Sequence, residues 1–224
     1  MTPTSITPPS AAAIQRAMSE FGLQVNQQQV EQIQQYTKIL LAWNDKVNLT
    51  AIRDPLEILY RHFCESMFGA AFVPVEKCRL ADVGSGGGFP GLPLKMVRPD
   101  LEVFLIESNV KKATFLAEVV RELGLTDARV LVSRFEELGE EVAPLDFVCS
   151  RALGEFAKFL DWAGSPTVSA RNVLLWLGGR DVEEVRAIPG WTWEEPKPVP
   201  HSLQRVLLRG ARAESAISEP ATAT

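Results

Sequence analysis

The chain is short of the residues that build metal and redox centres. Its 224 residues contain three cysteines and two histidines. Cys64, Cys78 and Cys149 form no closely spaced pair and their number is odd, which argues against both a disulfide framework and a Cys/His metal site. Three buried, reduced thiols in a cytoplasmic chain are expected instead, with no metal. Long apolar runs are missing too: none approaches the ~20 residues that a membrane helix needs. The N-terminus, MTPTSITPPS, has neither the basic start nor the apolar stretch of a secretory signal. Nor is there an excess of positive charge, since 23 Lys and Arg face 28 Asp and Glu for a net charge of −5. That balance argues against a protein that coats nucleic acid indiscriminately, and leaves room for a locally basic face that docks one structured RNA.

What the chain does have is core material. Hydrophobic content of 46% with 23% charged residues is ordinary globular composition, enough for one large domain or one domain with an extension. Residues 1–10 and 211–224 are rich in Pro, Ser, Thr and Ala and read as disordered ends. Residues 11–78 read as a helical cap. Ala11–Phe21 forms a first helix. Val30, Ile33, Ile39, Leu40, Trp43 and Val47 recur near a 3.6-residue period in a second. Asp54, Pro55 and Glu57 predict the start of a third, with a capping box and an apolar face of Leu56, Leu59, Tyr60, Phe63 and Met67.

Across residues 79–210 short apolar runs alternate with helical patterns. Strands are expected at Leu80–Val83, Val103–Ile106, Arg129–Val132, Asp146–Cys149 and Val173–Leu177, and helices at Pro90–Val97, Val110–Leu123, Phe135–Glu141 and Glu155–Gly164. Solid apolar runs of this length suit strands buried on both faces of a parallel sheet. Trp191–Glu195 and Ser202–Arg209 are expected to form an antiparallel edge. The fold is therefore α/β, a doubly wound, Rossmann-like sheet of seven strands with an antiparallel edge, preceded by an N-terminal helical segment. No internal repeat is present.

The stretch DVGSGGGFPG carries Gly-x-Gly-x-x-Gly at Gly86, Gly88 and Gly91, between a strand and a helix. Glycines there let the chain turn tightly and let a ligand lie against bare backbone. Glu107 closes the second strand, 23 residues after Gly84, where a carboxylate can accept both hydroxyls of a ribose. A dinucleotide would place a pyrophosphate on this loop. Asp82, two residues before the first glycine, suits the ammonium or sulfonium of S-adenosylmethionine better. Candidate cofactor residues are thus Gly84, Ser85, Gly86, Gly88, Phe89, Glu107 and Ser108. In VSRFEEL, Phe135 adds an apolar wall and Glu136 an acceptor for an adenine amine, while Ser133 can cap a helix with Glu136 at its third position.

The fourth strand ends in Ser150-Arg151-Ala152, not in the Asp/Asn-Pro-Pro-aromatic of enzymes that methylate exocyclic base amines. Cys149 sits inside an apolar strand, where its thiol pKa rises, so it reads as core and not as a nucleophile. No general base stands out. Guanine N7 would need none, because its lone pair is already free, and alignment would supply the catalysis. Arg151 offers a planar fork for guanine O6, a phosphate or the cofactor carboxylate.

Trp43-Asn44 with Asn48-Leu49-Thr50, His62 with Glu65-Ser66, Asp82–Leu94, Ser133–Leu138 and Ser150–Ala152 together resemble the RsmG (GidB) family, bacterial 16S ribosomal RNA guanine-N7 methyltransferases with a class I methyltransferase fold. The similarity spans roughly Ile33–Leu208. It implies S-adenosyl-L-methionine as cofactor, contacted by Gly84, Phe89, Phe135, Glu136 and Arg151 with Glu107 on its ribose. It implies Asn44, Asn48, His62 and Arg134 at the methyl-transfer face, Arg134 and Arg151 serving catalysis, and Lys111 and Lys112 meeting RNA phosphates. The substrate it implies is 16S RNA, free or within the 30S particle, and the expected enzyme is a monomer. Leu177 stands where the family usually has lysine, and Glu65 where it often has aspartate. Two other readings stay open: an NAD(P)-dependent oxidoreductase, and a non-catalytic RNA- or assembly-binding module of the same fold.

Overall fold

The computed structural model of the chain describes residues 7–74, 76–151 and 154–213. Ser10 starts α1 (Ala11–Glu20) by accepting from the Ala13 amide. The segment before it is ordered rather than loose: Pro9 is buried and its carbonyl accepts from Gln34 at 2.9 Å. Residues 1–6 of the expected disordered end lie outside the described residues. Helix α2 (Gln27–Asn44) opens on a complete capping box between Asn26 and Gln29, which the sequence reading passed over. Its inward stripe is Val30, Ile33, Tyr36, Thr37, Leu40 and Leu41.

Asp54 does cap α3 (Pro55–Ile58) by accepting from the Glu57 amide, without the reciprocal half of the box. The helical run then widens into a π-helical stretch, Leu59–Cys64, and returns to α4 (Glu65–Phe68). The wider turn keeps Leu59, Phe63 and Met67 inward at a four-residue spacing and leaves Leu56 50% exposed, outside the predicted face.

The sheet follows the order β3-β2-β1-β4-β5-β8-β6. Strands β1 (Arg79–Val83), β2 (Glu102–Ile106), β3 (Ala128–Leu131), β4 (Phe147–Ser150) and β5 (Asn172–Gly178) are parallel, and β8 (Arg205–Arg212) runs antiparallel between β5 and β6 (Trp191–Trp193). An unpredicted β7 (Lys197–Pro198) pairs with β8 and makes eight strands, not seven. β8 also starts and ends later than expected: Ala211 and Arg212 pair with Thr192 and Trp191, so the tail boundary at 211 falls inside a strand. Residues 214–224 lie outside the described residues.

Alternation along the strands splits the core in two. Leu80, Val103, Leu105, Phe147, Cys149, Leu174 and Trp176 face α1, α2, the 55–72 helical run, α5 (Gly91–Val97) and α6 (Val110–Glu122). Ala81, Val83, Phe104, Ile106, Val148, Val173 and Leu175 face α7 (Phe156–Gly164) and α8 (Val182–Arg186). The cap and one face of the sheet therefore share a single hydrophobic layer. All three cysteines are buried and free, and burial raises the thiol pKa of Cys149 well above its usual value. The expected helix Phe135–Glu141 is reduced to one 3₁₀ turn, Phe135–Glu137. Ser133 gives its hydroxyl to the Arg134 carbonyl and the Glu137 carboxylate, so the predicted cap with Glu136 does not form.

Candidate active site

The site lies at the C-terminal ends of β1, β2 and β3, where open α/β sheets bind ligands. The glycine loop is pinned to β2, for the amides of Gly84 and Ser85 both donate to the Ile106 carbonyl, at 2.9 and 3.1 Å. Gly84 has φ +71°, and a side chain there would meet nothing within 4 Å. Bare backbone therefore faces open space. That space is a cavity of about 320 Å³, lined among others by Gly84, Glu107, Ser108, Arg134, Phe135 and Glu136.

Glu107 forms its lip. It is 8% exposed. Its Oε2 accepts from the Gly86 amide at 2.9 Å and its Oε1 from the Asn109 amide at 2.8 Å. A carboxylate has about four lone-pair positions, so each oxygen can still accept from a ligand hydroxyl. Phe135 walls the opposite side, its ring 5.4 Å from Trp162 and 6.3 Å from Phe159, both edge-on. Glu136 is ion-paired with Lys158, which holds its carboxyl below the usual range. Bare backbone, a half-free carboxylate and an aromatic wall fit an adenosyl group carrying a cationic sulfur.

Other predicted contacts lie elsewhere. Asp82 does not reach the cavity. It is wholly buried under the loop, where its Oδ2 accepts from the Gly91 amide at 3.0 Å. Ser85 is also buried, its hydroxyl donated to the Asp82 carbonyl at 2.9 Å. Gly88 is pressed against Tyr36. Phe89 is turned towards the cap, stacked between Tyr36 (5.3 Å, 4°) and His62 (4.6 Å, 21°). Tyr36, His62 and Phe63 of the cap hold that ring inward and leave it off the cavity wall.

Burial raises the Asp82 carboxyl to about 7, against ~3.9 in an unfolded chain. The folded protein thus holds this proton more tightly, so the associated stability is full below about pH 4 and is lost as pH climbs towards 7. Thermal unfolding of the wild type minus that of Asp82→Asn is expected to fall over this window, with a slope of at most ~1.4 kcal/mol per pH unit. A difference that stays flat across this window would show Asp82 already ionised in the folded protein.

Arg151 follows Ser150, whose hydroxyl donates at 2.9 Å to the carbonyl of Val83, a residue of the cavity lining, but Arg151 itself lies outside that lining. Ala152 lies outside the described residues. The Arg151 fork donates to the Arg61 carbonyl at 2.6 Å and to His62 Nδ1 at 2.5 Å, and its guanidinium lies 5.6 Å from the Phe89 ring centre. Facing a permanent donor, Nδ1 must accept. Nε2 then carries the proton towards Thr50 Oγ1, at 2.7 Å. Burial, then Arg151 and Arg205, push His62 down to about 3, so it stays neutral and orients Arg151. Burial likewise lowers Arg151 to about 10.

Asn44, expected at RNA, is 2% exposed. Its side chain is spent on the Leu49 and Thr50 amides and the Thr50 carbonyl. It shapes the loop that holds Thr50 against His62, and buried His62 has the same internal role. Asn48 and Lys111 are exposed and Lys112 is half-buried. Sequence reasoning missed Tyr36, whose hydroxyl donates to the Gly87 carbonyl, and the pairing of buried Glu65 with Arg61 (3.1 Å) and Arg205. The first carried no motif. The second joins residues 140 positions apart.

A family model described as rRNA small subunit methyltransferase G (GidB) matches residues 29–189. A ribosomal RNA small subunit methyltransferase G from Roseiflexus castenholzii is 43% identical over 150 residues, 66% of this chain and 64% of that protein, so this chain spans just under two thirds of that relative. Its counterpart from Xanthomonas oryzae pv. oryzae is 36% identical over 213 residues, covering 95% and 96%. Among solved structures, magnesium protoporphyrin IX methyltransferase from Synechocystis PCC 6803, with bound SAM, superposes with a TM-score of 0.60 at 12% identity, covering 80% of this chain and 97% of that one. A SAM-dependent methyltransferase from Aquifex aeolicus gives 0.58 at 17%, covering 74% and 97%. At these identities the structures establish the shared fold.

Proposed function

The chain belongs to the rRNA small subunit methyltransferase G family, and from that premise we propose that it transfers the methyl group of S-adenosyl-L-methionine to N7 of a guanine in 16S ribosomal RNA. The observation that carries this reading is the clasp of Glu107 on the Gly86 amide, which sets a carboxylate and bare backbone on one cavity. The bound cofactor supplies an electrophilic methyl on a sulfonium. Glu107 accepts from its ribose, Gly84 gives it backbone to lie on, and Phe135 excludes water from its base. Ser108, Arg134 and Glu136 close the cavity.

Guanine N7 attacks with its own lone pair, so the absence of a poised base is no obstacle. His62 is held neutral by burial and then by its arginine neighbours, and acts as the acceptor that fixes the Arg151 fork. Arg151 positions the acceptor base or the cofactor carboxylate. Arg134 assists at the same mouth. Asn48, Lys111 and Lys112 meet RNA on the surface. The enzyme works in the cytoplasm as a monomer on 16S RNA, free or in the 30S particle. Family membership sets the dinucleotide reading aside.

The test is methyl transfer from labelled cofactor to 30S subunits and to 16S RNA lacking the modification, with the product nucleoside identified by mass spectrometry. 7-Methylguanosine at one position is expected, and Arg151→Ala should lower turnover by about a hundredfold. A methyl on any other atom, or full activity in that variant, overturns the assignment.

A further inference from the structure

A second groove lies between α2 and α6. Gln32 on α2 donates to the Leu123 carbonyl just past α6 at 3.0 Å, while Trp43, eleven residues on, packs edge-on to Phe115 at 5.9 Å. The two helices are therefore antiparallel, and the end of α2 meets the start of α6. The groove has a volume of about 380 Å³ and is lined by Lys38, Ile39, Ala42, Trp43, Lys46 and Glu118.

Its two ends differ in charge. Lys38 lies a turn before Trp43 and Glu118 a turn beyond Phe115, so opposite charges share one end. In this antiparallel packing the first turn of α6, which carries Lys111 and Lys112, points to the same end of the groove as Lys46, just past α2. None of these three lysines has an ion-pair partner among the described residues. Asn109 already satisfies the amides of Lys111 and Lys112, so the positive field there comes from side chains. This end adjoins Ser108, on the rim of the cofactor cavity. In a chain of net charge −5, a half-exposed indole sharing its groove with Lys46, with Lys111 and Lys112 on the helix turn at the same end, fits an unpaired nucleotide better than a protein helix. Phosphate meets ammonium, and a base lies on the aromatic face.

We propose that the α2–α6 groove docks an unpaired nucleotide of the RNA substrate, its base on Trp43 and its phosphates on Lys46, Lys111 and Lys112. The proposal rests on the rRNA reading and adds a second contact, away from the reacting base, that fixes the register of the RNA.

The test uses Trp43→Leu, which keeps apolar bulk against Phe115 but removes the aromatic face, and the surface change Lys46→Gln. Melting temperature and calorimetric affinity for S-adenosylmethionine serve as controls for folding and the cofactor cavity. With both at wild-type values, each variant is expected to raise KM for unmodified 30S subunits about tenfold while kcat at saturation stays within twofold. Lys46→Gln should also lower the dependence of log affinity on log salt by about one. Ultraviolet crosslinking to the same particles should join the Trp43 segment to 16S RNA. Unchanged KM in both folded variants overturns the proposal, as does a crosslink to ribosomal protein alone. Failure of the wild type to methylate would strike the proposed function instead. Particle binding measured by filter retention would still judge the groove.

Discussion

Glu107→Gln is expected to weaken S-adenosylmethionine binding by roughly a hundredfold, ~3 kcal/mol, while leaving the fold intact. In the wild type both carboxylate oxygens accept backbone amides, Gly86 on one side and Asn109 on the other. A glutamine has one oxygen. Its NH₂ must therefore point at one of those two N–H groups, donor against donor, or the side chain must leave the pair. Leaving releases Gly86 and so the loop the cofactor lies on. It also removes a charged acceptor from the cavity lip, where hydrogen bonds to ions are worth ~1.5–3 kcal/mol each. Calorimetry with the purified variant measures this directly. Wild-type affinity would remove Glu107 from the cofactor site, and a large loss of thermal stability would mean that its role is to hold the loop.

The second large effect is on folding. Gly88→Ala is expected to cost about 4 kcal/mol, a large share of the ~5–15 kcal/mol that holds a domain together. Gly88 has φ +83°, where any side chain is strained, and a Cβ there would lie 2.2 Å from Tyr36 Oη and 2.5 Å from Leu92 Cδ1. Tyr36 cannot yield cheaply. It is fully buried, its ring is stacked on Phe89, and its hydroxyl donates to the Gly87 carbonyl at 2.5 Å, so displacement breaks a buried hydrogen bond as well. Adding Tyr36→Phe removes the clashing oxygen and should restore part of the loss in denaturant unfolding. A Gly88→Ala chain as stable as the wild type would mean that the loop relaxes freely away from the cap.

Much of this was readable in the residues. The five parallel strands announce themselves as apolar runs because both faces of the sheet are covered. Glu107 falls against the glycine loop and on the cavity lip because its spacing from the glycines is fixed by one strand–loop–helix–strand unit. Where local pattern and tertiary demand part company, reading failed. The family resemblance puts Phe89 at the cofactor, yet two aromatic neighbours from the cap stack on its ring. The family resemblance puts Asn44 and His62 at the methyl-transfer face and on RNA, yet both are buried and engaged by internal partners. The Phe135–Glu141 helix never propagates. Glu136 and Glu137 are drawn to Lys158 and Ser133, and Gly139 follows within four residues. The Glu65–Arg205 pair depends on how β8 enters the sheet, which no neighbouring residues encode.

Tyr36, Phe89 and His62 form one continuous pile of rings, with the Arg151 guanidinium bonded to His62 and 5.6 Å from the centre of the same phenyl. A builder who wished to retarget this enzyme by exchanging its leading helices for another set would cut through that pile. Any such exchange would disturb Phe89 and, through His62, the hold on the Arg151 fork.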